Sequence, residues 1–262
     1  MIAGNGRFPL LALESAKRLG INVVVIAIDE EVSADFPAQY RISLGALSRL
    51  IEICKSEGIT ELMMCGQVKH TKIFSAIRPD WRLIKLLASL DAKNTDALIG
   101  GVAKVLKDEG ISLVDSTLLL KELLAPVGVL TKRKPSSDES KELAYGRQIA
   151  ASLAGFDIGQ SVVISERACV ALEAMEGTDA ILKRAFALTG GSPLRLVKSS
   201  RRRKHLLFDV PVLGLSTIEV MIQTNTTAAT FDAGRTLLLD RAEVIAKSND
   251  AGIALVGLDV EE

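Results

Sequence analysis

Met1-Ile2-Ala3-Gly4-Asn5-Gly6-Arg7-Phe8-Pro9 opens the chain, and a helical pattern carries it to Gly20 before the run Val23-Val24-Val25-Ile26-Ala27-Ile28. A continuous β-branched run of that length predicts a strand covered on both faces. A strand, a glycine loop, a helix and a second covered strand form a βαβ unit with parallel strands. The rhythm continues through a helix over Ala46 to Glu57, closed at Gly58, and a strand over Glu61 to Met64 ending in Cys65-Gly66-Gln67. Helical spacing returns at Pro79 to Leu90 and at Thr95 to Glu109. A strand follows at Ile111 to Val114, then a helix from Ser116 that Pro126 stops. The first half is therefore expected to be a Rossmann-like parallel sheet. Ligands of such sheets bind beyond the carboxyl ends of the strands, where Gly4-Asn5-Gly6, Gly66-Gln67 and Asp115 fall.

The segment from Pro126 to Ser140 breaks this rhythm with proline, glycine and the basic trio Lys132-Arg133-Lys134, which reads as a domain boundary. Beyond it come a long helix over Asp138 to Leu153, paired strands at Ser161 to Ile164 and Cys169 to Ala174, and a short strand at Leu194 to Val197. Ser216 to Glu219 reads as a capping box, Asp240 to Glu243 as an Asp-capped helix start, and Thr236 to Leu239 as a strand. The second half is expected to be α+β, with a mixed sheet.

Composition narrows the function. Lysine plus arginine and aspartate plus glutamate are 32 each, so no global basic field argues for nucleic acid. Aromatics are 4% of the chain, too few for base-stacking platforms. Cys54, Cys65 and Cys169 are odd in number with no CxxC spacing, which fits a reducing compartment and offers no zinc site. His70 and His205 are the only histidines, so histidine metal clusters are out; His70 and Trp81 read as packing or surface residues. No signal pattern opens the chain, and no uncharged run reaches the roughly 20 apolar residues of a membrane span. A soluble, cytoplasmic protein is expected, free to touch a membrane surface.

Several stretches can carry chemistry. In Glu173-Ala174-Met175-Glu176-Gly177-Thr178-Asp179, a strand exit leads to a helix expected to start at Asp179, with Thr178 capping its amides. A helix end beside carboxylates suits a phosphate held with a hard cation, although an ordinary capped helix explains the same residues. Gly4-x-Gly6 follows a strand, but Pro9 stands where the third glycine of the dinucleotide fingerprint belongs. An ordinary NAD enzyme is therefore disfavoured, while some nucleotide ligand is expected. Asp209, before Val210-Pro211, can hold Mg²⁺ or a water; a turn-stabilising aspartate accounts for it equally. Lys198, the run Arg201-Arg202-Arg203 and Arg235 after Gly234 offer cations for phosphate, against the ordinary reading of a solvated basic loop.

Taken together, Ile2-Ala3-Gly4-Asn5-Gly6-Arg7-Phe8-Pro9, Met64-Cys65-Gly66-Gln67-Val68, Arg78-Pro79-Asp80 and Asp96-Ala97-Leu98 resemble one family. So do Gly128 to Arg133, Asp157-Ile158-Gly159-Gln160, Glu173 with Glu176 to Ala180, Asp209-Val210-Pro211 with Gly214, and Ala233 to Thr236. The family is that of the UDP-2,3-diacylglucosamine pyrophosphatases of lipid A biosynthesis, in the form unrelated to calcineurin-like enzymes. The resemblance implies a UDP-binding domain over residues 1–130 and a lipid-binding, catalytic domain over residues 131–262. It implies Mg²⁺-dependent hydrolysis to UMP and 2,3-diacylglucosamine 1-phosphate, with water directed at the β-phosphorus. Asp209 matches the family's essential aspartate, and Glu176 with Asp179 its signature loop. On this basis Asp209 is expected to hold the metal or the water, with Asp179 as a supporting metal ligand. Lys198 and Arg235 are expected to neutralise phosphates. Ala3, Gly4, Asn5, Gly6, Gly66 and Gln67 would cradle the nucleotide, and Glu176, Gly177 and Thr178 would contact substrate. The run from Ser199 to Leu206 is more basic than the family pattern, so no contact is assigned inside it. The expected partner is the UDP-linked lipid, with a homodimer and contact at the cytoplasmic face of the inner membrane left open. A non-catalytic nucleotide- or lipid-binding module and a UDP-sugar transferase are the rival readings.

Overall fold

The structure is a computed structural model, and it describes residues 1–66, 68, 79–90, 95–200 and 210–260. Gln67, His70, Arg78, the basic run 201–205 and Asp209 lie outside the described residues. The chain divides into two compact units, one built on Met1–Leu120 and the other beginning at Lys121.

In the first unit, strands β1 (Ile2–Ala3), β2 (Ile26–Ile28), β3 (Tyr40–Ile42), β4 (Glu61–Cys65) and β5 (Ser112–Val114) form one sheet in the order β3-β2-β1-β4-β5. Every pairing is parallel. Helices α1 (Phe8–Arg18), α2 (Leu47–Ser56), α3 (Trp81–Ala88) and α4 (Thr95–Asp108) supply the crossovers. Ile26, Ile53, Leu62 and Leu106 are fully buried between the layers. The Rossmann-like first half is borne out. Strand β2 is shorter than the apolar run, because only Ile26 to Ile28 pair with β3, and of these Ile26 and Ala27 also pair with β1. Strand β3 carries only one buried residue and has no apolar signature to announce it.

The helix expected from Ser116 is absent. Asp115 accepts hydrogen bonds from the backbone N–H and the hydroxyl of Thr117, at 2.8 and 2.6 Å, which fixes a turn. Only a 3-10 turn over Lys121–Leu123 follows.

In the second unit a six-stranded sheet is ordered β6-β13-β11-β9-β7-β8. Its strands are β6 (Gly128–Val129), β7 (Ser161–Ser165), β8 (Ala168–Leu172), β9 (Leu194–Lys198), β11 (Thr226–Asp232) and β13 (Ala254–Leu258). Strands β9, β11 and β13 run parallel at the centre; β6, β7 and β8 pair antiparallel at the flanks. A separate parallel pair joins β10 (Val212–Leu213) to β12 (Leu237–Leu238), the remnant of the longer strand expected at Thr236 to Leu239. The mixed sheet is as expected, with parallel strands at its heart.

Helix α5 (Ser137–Gly155) covers one face, packing Leu143 and Leu153 on Val162, Ile164 and Val197. The other face is covered by α6 (Thr178–Leu188), α7 (Leu215–Gln223) and α8 (Arg241–Asp250) around Leu196 and Phe231. Two expected caps fail. Helix α7 starts from Gly214 without a side-chain cap, leaving Ser216 inside the helix. Asp240 stands at the start of α8 in the left-handed conformation, φ 53°, and caps no amide there.

Candidate active site

In the first unit the strand order places a topological switch point between β1 and β4, the position where such sheets take nucleotides. Ala3 pairs with Cys65, and the Gly4 amide donates to the Cys65 carbonyl at 2.8 Å, so the two strand exits lie side by side. Gly66 has φ 90°, and a β-carbon there would stand 2.6 Å from the Asn5 carbonyl oxygen. Only glycine lets the second loop lie on the first. Gly6 and Arg7 are exposed beyond this contact, Asn5 is half-buried, and Ala3 and Gly4 are buried. Backbone without side chains is therefore presented where a phosphate or ribose can approach closely. Cys65 is no nucleophile at neutral pH, since burial pushes its thiol up to about 12.

In the second unit, Lys198 ends β9 and pairs across the sheet with Ser161 at the start of β7. Paired residues share a face, and this one continues through Val163 and Leu196 towards α6. Lys198 is 8% exposed, and its Nζ donates to Thr178 Oγ1 at 2.7 Å. Thr178 is the first residue of α6, and Gly177 occupies the cap position with φ 85°. Thr178 therefore does not cap the helix. Its hydroxyl donates instead to Glu173 Oε1 at 2.9 Å and lies 3.1 Å from Ser161 Oγ. Gly177 supplies no side-chain cap, so among the described residues the N-terminus of α6 is open to an anion beside a buried ammonium.

The other expected residues divide. Asp179 is half-buried on the first turn of α6, and its Oδ1 accepts from the Thr217 hydroxyl at 2.9 Å. Its second oxygen carries no hydrogen bond among the described residues, so it retains the donor chemistry a hard cation takes. Among the described residues no three His, Cys, Asp or Glu side chains gather to hold a metal. Mg²⁺ commonly takes only one or two carboxylates plus phosphate and water, so Asp179 fits as one member of such a set. Glu176 braces its own loop, accepting from the Ala174 amide and from Arg184 at 3.0 and 2.8 Å. Amides of that loop, with Arg184, hold its carboxyl below the usual range. Arg235 is half-buried in the turn after β11.

Two residues went unassigned in the sequence. Glu173, 9% exposed, also accepts from the Gln160 amide at 3.1 Å. Asp232, 3% exposed at the end of β11, collects both hydroxyls and one amide of Ser199 and Ser200 on a single oxygen. It borders an open pocket of about 510 Å³ between α5 and strands β11 and β13, lined by Leu143, Ala144, Ala151, Val256 and Leu258 together with Arg147 and Gln148. Recognising Thr226 to Asp232 as a strand would have flagged Asp232 as a strand-end carboxylate.

A glycine-lined switch point in a parallel sheet, and in a second unit a buried lysine at a bare helix N-terminus, define a two-domain α/β protein with separate places suited to phosphate. The chain belongs to the LpxI family: the family's N-terminal domain matches residues 1–123 and its C-terminal domain residues 126–256. It is 28% identical over 274 residues to the UDP-2,3-diacylglucosamine pyrophosphatase LpxI of Caulobacter vibrioides, covering 100% of this chain and 98% of the relative. The family identified from the sequence motifs is thus the family found.

Proposed function

We propose that this protein hydrolyses UDP-2,3-diacylglucosamine to UMP and 2,3-diacylglucosamine 1-phosphate, with Mg²⁺, on the cytoplasmic side of the inner membrane. Its family and its full-length pyrophosphatase relative make it a hydrolase acting on a phosphoanhydride in lipid A synthesis. The observation that carries the substrate is that end-to-end match. The geometry supports it: a glycine-lined switch point in the first unit suits the uridine nucleotide. The 510 Å³ pocket in the second unit suits an acyl chain.

Cleaving a phosphoanhydride is chiefly a matter of positioning and of neutralising charge on phosphoryl oxygens. Mg²⁺ bound by Asp179 and Asp209 would draw charge from those oxygens. Lys198 and the first amides of α6 face the same demand from the protein side. Arg235 adds a second cation. Asp209 orients a water towards the β-phosphorus; the bond from that phosphorus to the bridging oxygen breaks, and UMP leaves with the bridging oxygen. Ala3, Gly4, Asn5, Gly6, Gly66 and Gln67 hold the nucleotide, and Glu176, Gly177 and the backbone of Thr178 the sugar phosphate.

Incubation with the UDP lipid and Mg²⁺ releases UMP, and oxygen-labelled water marks the sugar phosphate. Asp209→Ala stops turnover while substrate still binds. A protein that binds the lipid without releasing UMP, or an Asp209→Ala variant with full activity, overturns the proposal.

A further inference from the structure

Thr178 has one hydroxyl proton and three polar neighbours, and chemistry decides how they share it. Lys198 Nζ only donates, at 2.7 Å. An ionised Glu173 only accepts, at 2.9 Å. The Thr178 proton must therefore point at Glu173, leaving two lone pairs for Lys198 and for the Ser161 hydroxyl at 3.1 Å. Glu173 is fixed in turn, because its second oxygen accepts from the Gln160 amide at 3.1 Å. Only a carboxylate accepts from both neighbours; glutamine would set an N–H against an N–H or O–H on one side.

Lys198 is buried, and this neutral hydroxyl is its one hydrogen-bond partner among the described residues. The Lys198 ammonium carries three donors, and among the described residues the Thr178 hydroxyl takes one, so the others suit an anion beside the N-terminus of α6. Its long side chain needs holding if it is to meet that anion in one geometry.

We infer that Glu173 is a positioning residue: through the Thr178 hydroxyl it holds the Lys198 ammonium at the N-terminus of α6, aimed at the phosphate charge that develops during hydrolysis. This rests on the proposed function, with Lys198 at the pyrophosphate. Glu173 touches no substrate; its carboxylate orders the hydroxyl, and the hydroxyl orders the lysine.

The test is a set of double-variant cycles. Lys198→Met lowers kcat/KM by ~10²-fold, as expected for a group that meets phosphate charge in the bound state and more strongly in the transition state. Thr178→Val and Glu173→Gln each lower it by about tenfold, while Thr178→Ser, which keeps the hydroxyl, recovers most of the loss that valine causes. In the Lys198→Met background, Thr178→Val and Glu173→Gln have no further effect, because the residue they position is gone. A merely structural role gives costs that multiply with that of Lys198→Met, and that result overturns the inference. So does full activity in Thr178→Val, or equal losses in Thr178→Ser and Thr178→Val. Should the parent protein release no UMP, the functional reading is at fault instead. The positioning role is then read from affinity for inorganic pyrophosphate, which Lys198→Met and Thr178→Val must weaken without adding.

Discussion

Glu139 shows how one side chain ties a domain together. Arg133 grips it with both terminal nitrogens, at 2.7 and 3.0 Å, and the Thr227 hydroxyl donates at 2.5 Å. The same carboxylate accepts from the Ser136 amide at 2.7 Å, so the boundary segment, α5 and β11 meet on it. Burial by itself would raise its carboxyl, but Arg133, Thr227 and Ser136 outweigh that and bring it from 4.5 down to about 2. A depressed carboxyl stabilises the fold above its unfolded value and loses that contribution as pH falls towards the folded one. Thermal unfolding should therefore show Glu139→Gln less stable than the parent at pH 7, with the gap narrowing between about pH 4.5 and about pH 2. A gap independent of pH would remove the ion pair as its cause. Arg133, conspicuous in the sequence as part of a basic trio, is thus a structural clamp.

Helix α5 lies flat on its sheet because Gly146 leaves room for it. A β-carbon at that position would stand 2.7 Å from Val197 Cγ2 and 2.9 Å from Ile164 Cγ1, both fully buried. Alanine, although the better helix former, must here push two strands aside. Gly146→Ala is expected to destabilise by ~1–3 kcal/mol in denaturant titration, and a stabilised variant would show that α5 floats on the sheet. At this scale the sequence is readable where burial writes a pattern. Val162 to Ile164 are apolar, as are Leu194, Leu196 and Val197 around Arg195, and both strands were found. Thr226 to Asp232 escaped, since Thr-Thr-Ala-Ala-Thr-Phe-Asp lacks the aliphatic β-branched run that usually marks a central strand. It can be almost wholly buried because each of its threonine hydroxyls finds a partner, as where Thr230 donates to the Val256 carbonyl of the neighbouring strand at 3.0 Å. The capping boxes misled for a related reason. Spacing alone resembles a cap at Ser216, while the working box is Ser136 with Glu139, where both reciprocal bonds form.

Across the whole molecule, family motifs located the candidate residues, but their contacts depend on register between distant strands, which no local pattern encodes. The closeness of Gly4 and Gly66 follows from β1 pairing with β4, and that of Lys198 and Ser161, which lies against Thr178, from β9 pairing with β7. The two clusters stand in different units, each with its own core. If the proposed substrate is recognised at its nucleotide end by one unit and at its sugar phosphate by the other, the two products should report on separate sites. Gly66→Ala forces a side chain into a left-handed backbone at φ 90° and against the Asn5 carbonyl, a strain of ~1–3 kcal/mol that should displace the nucleotide loop. UMP should then inhibit that variant at least ~10-fold more weakly, about 1.4 kcal/mol, with inhibition by 2,3-diacylglucosamine 1-phosphate unchanged. Lys198→Met should do the reverse, losing the sugar phosphate and keeping UMP. Inhibition constants for both products on both variants decide it. A crossed pattern assigns one product to each unit, whereas equal loss of both products in either variant would mean that neither cluster recognises its own end of the substrate.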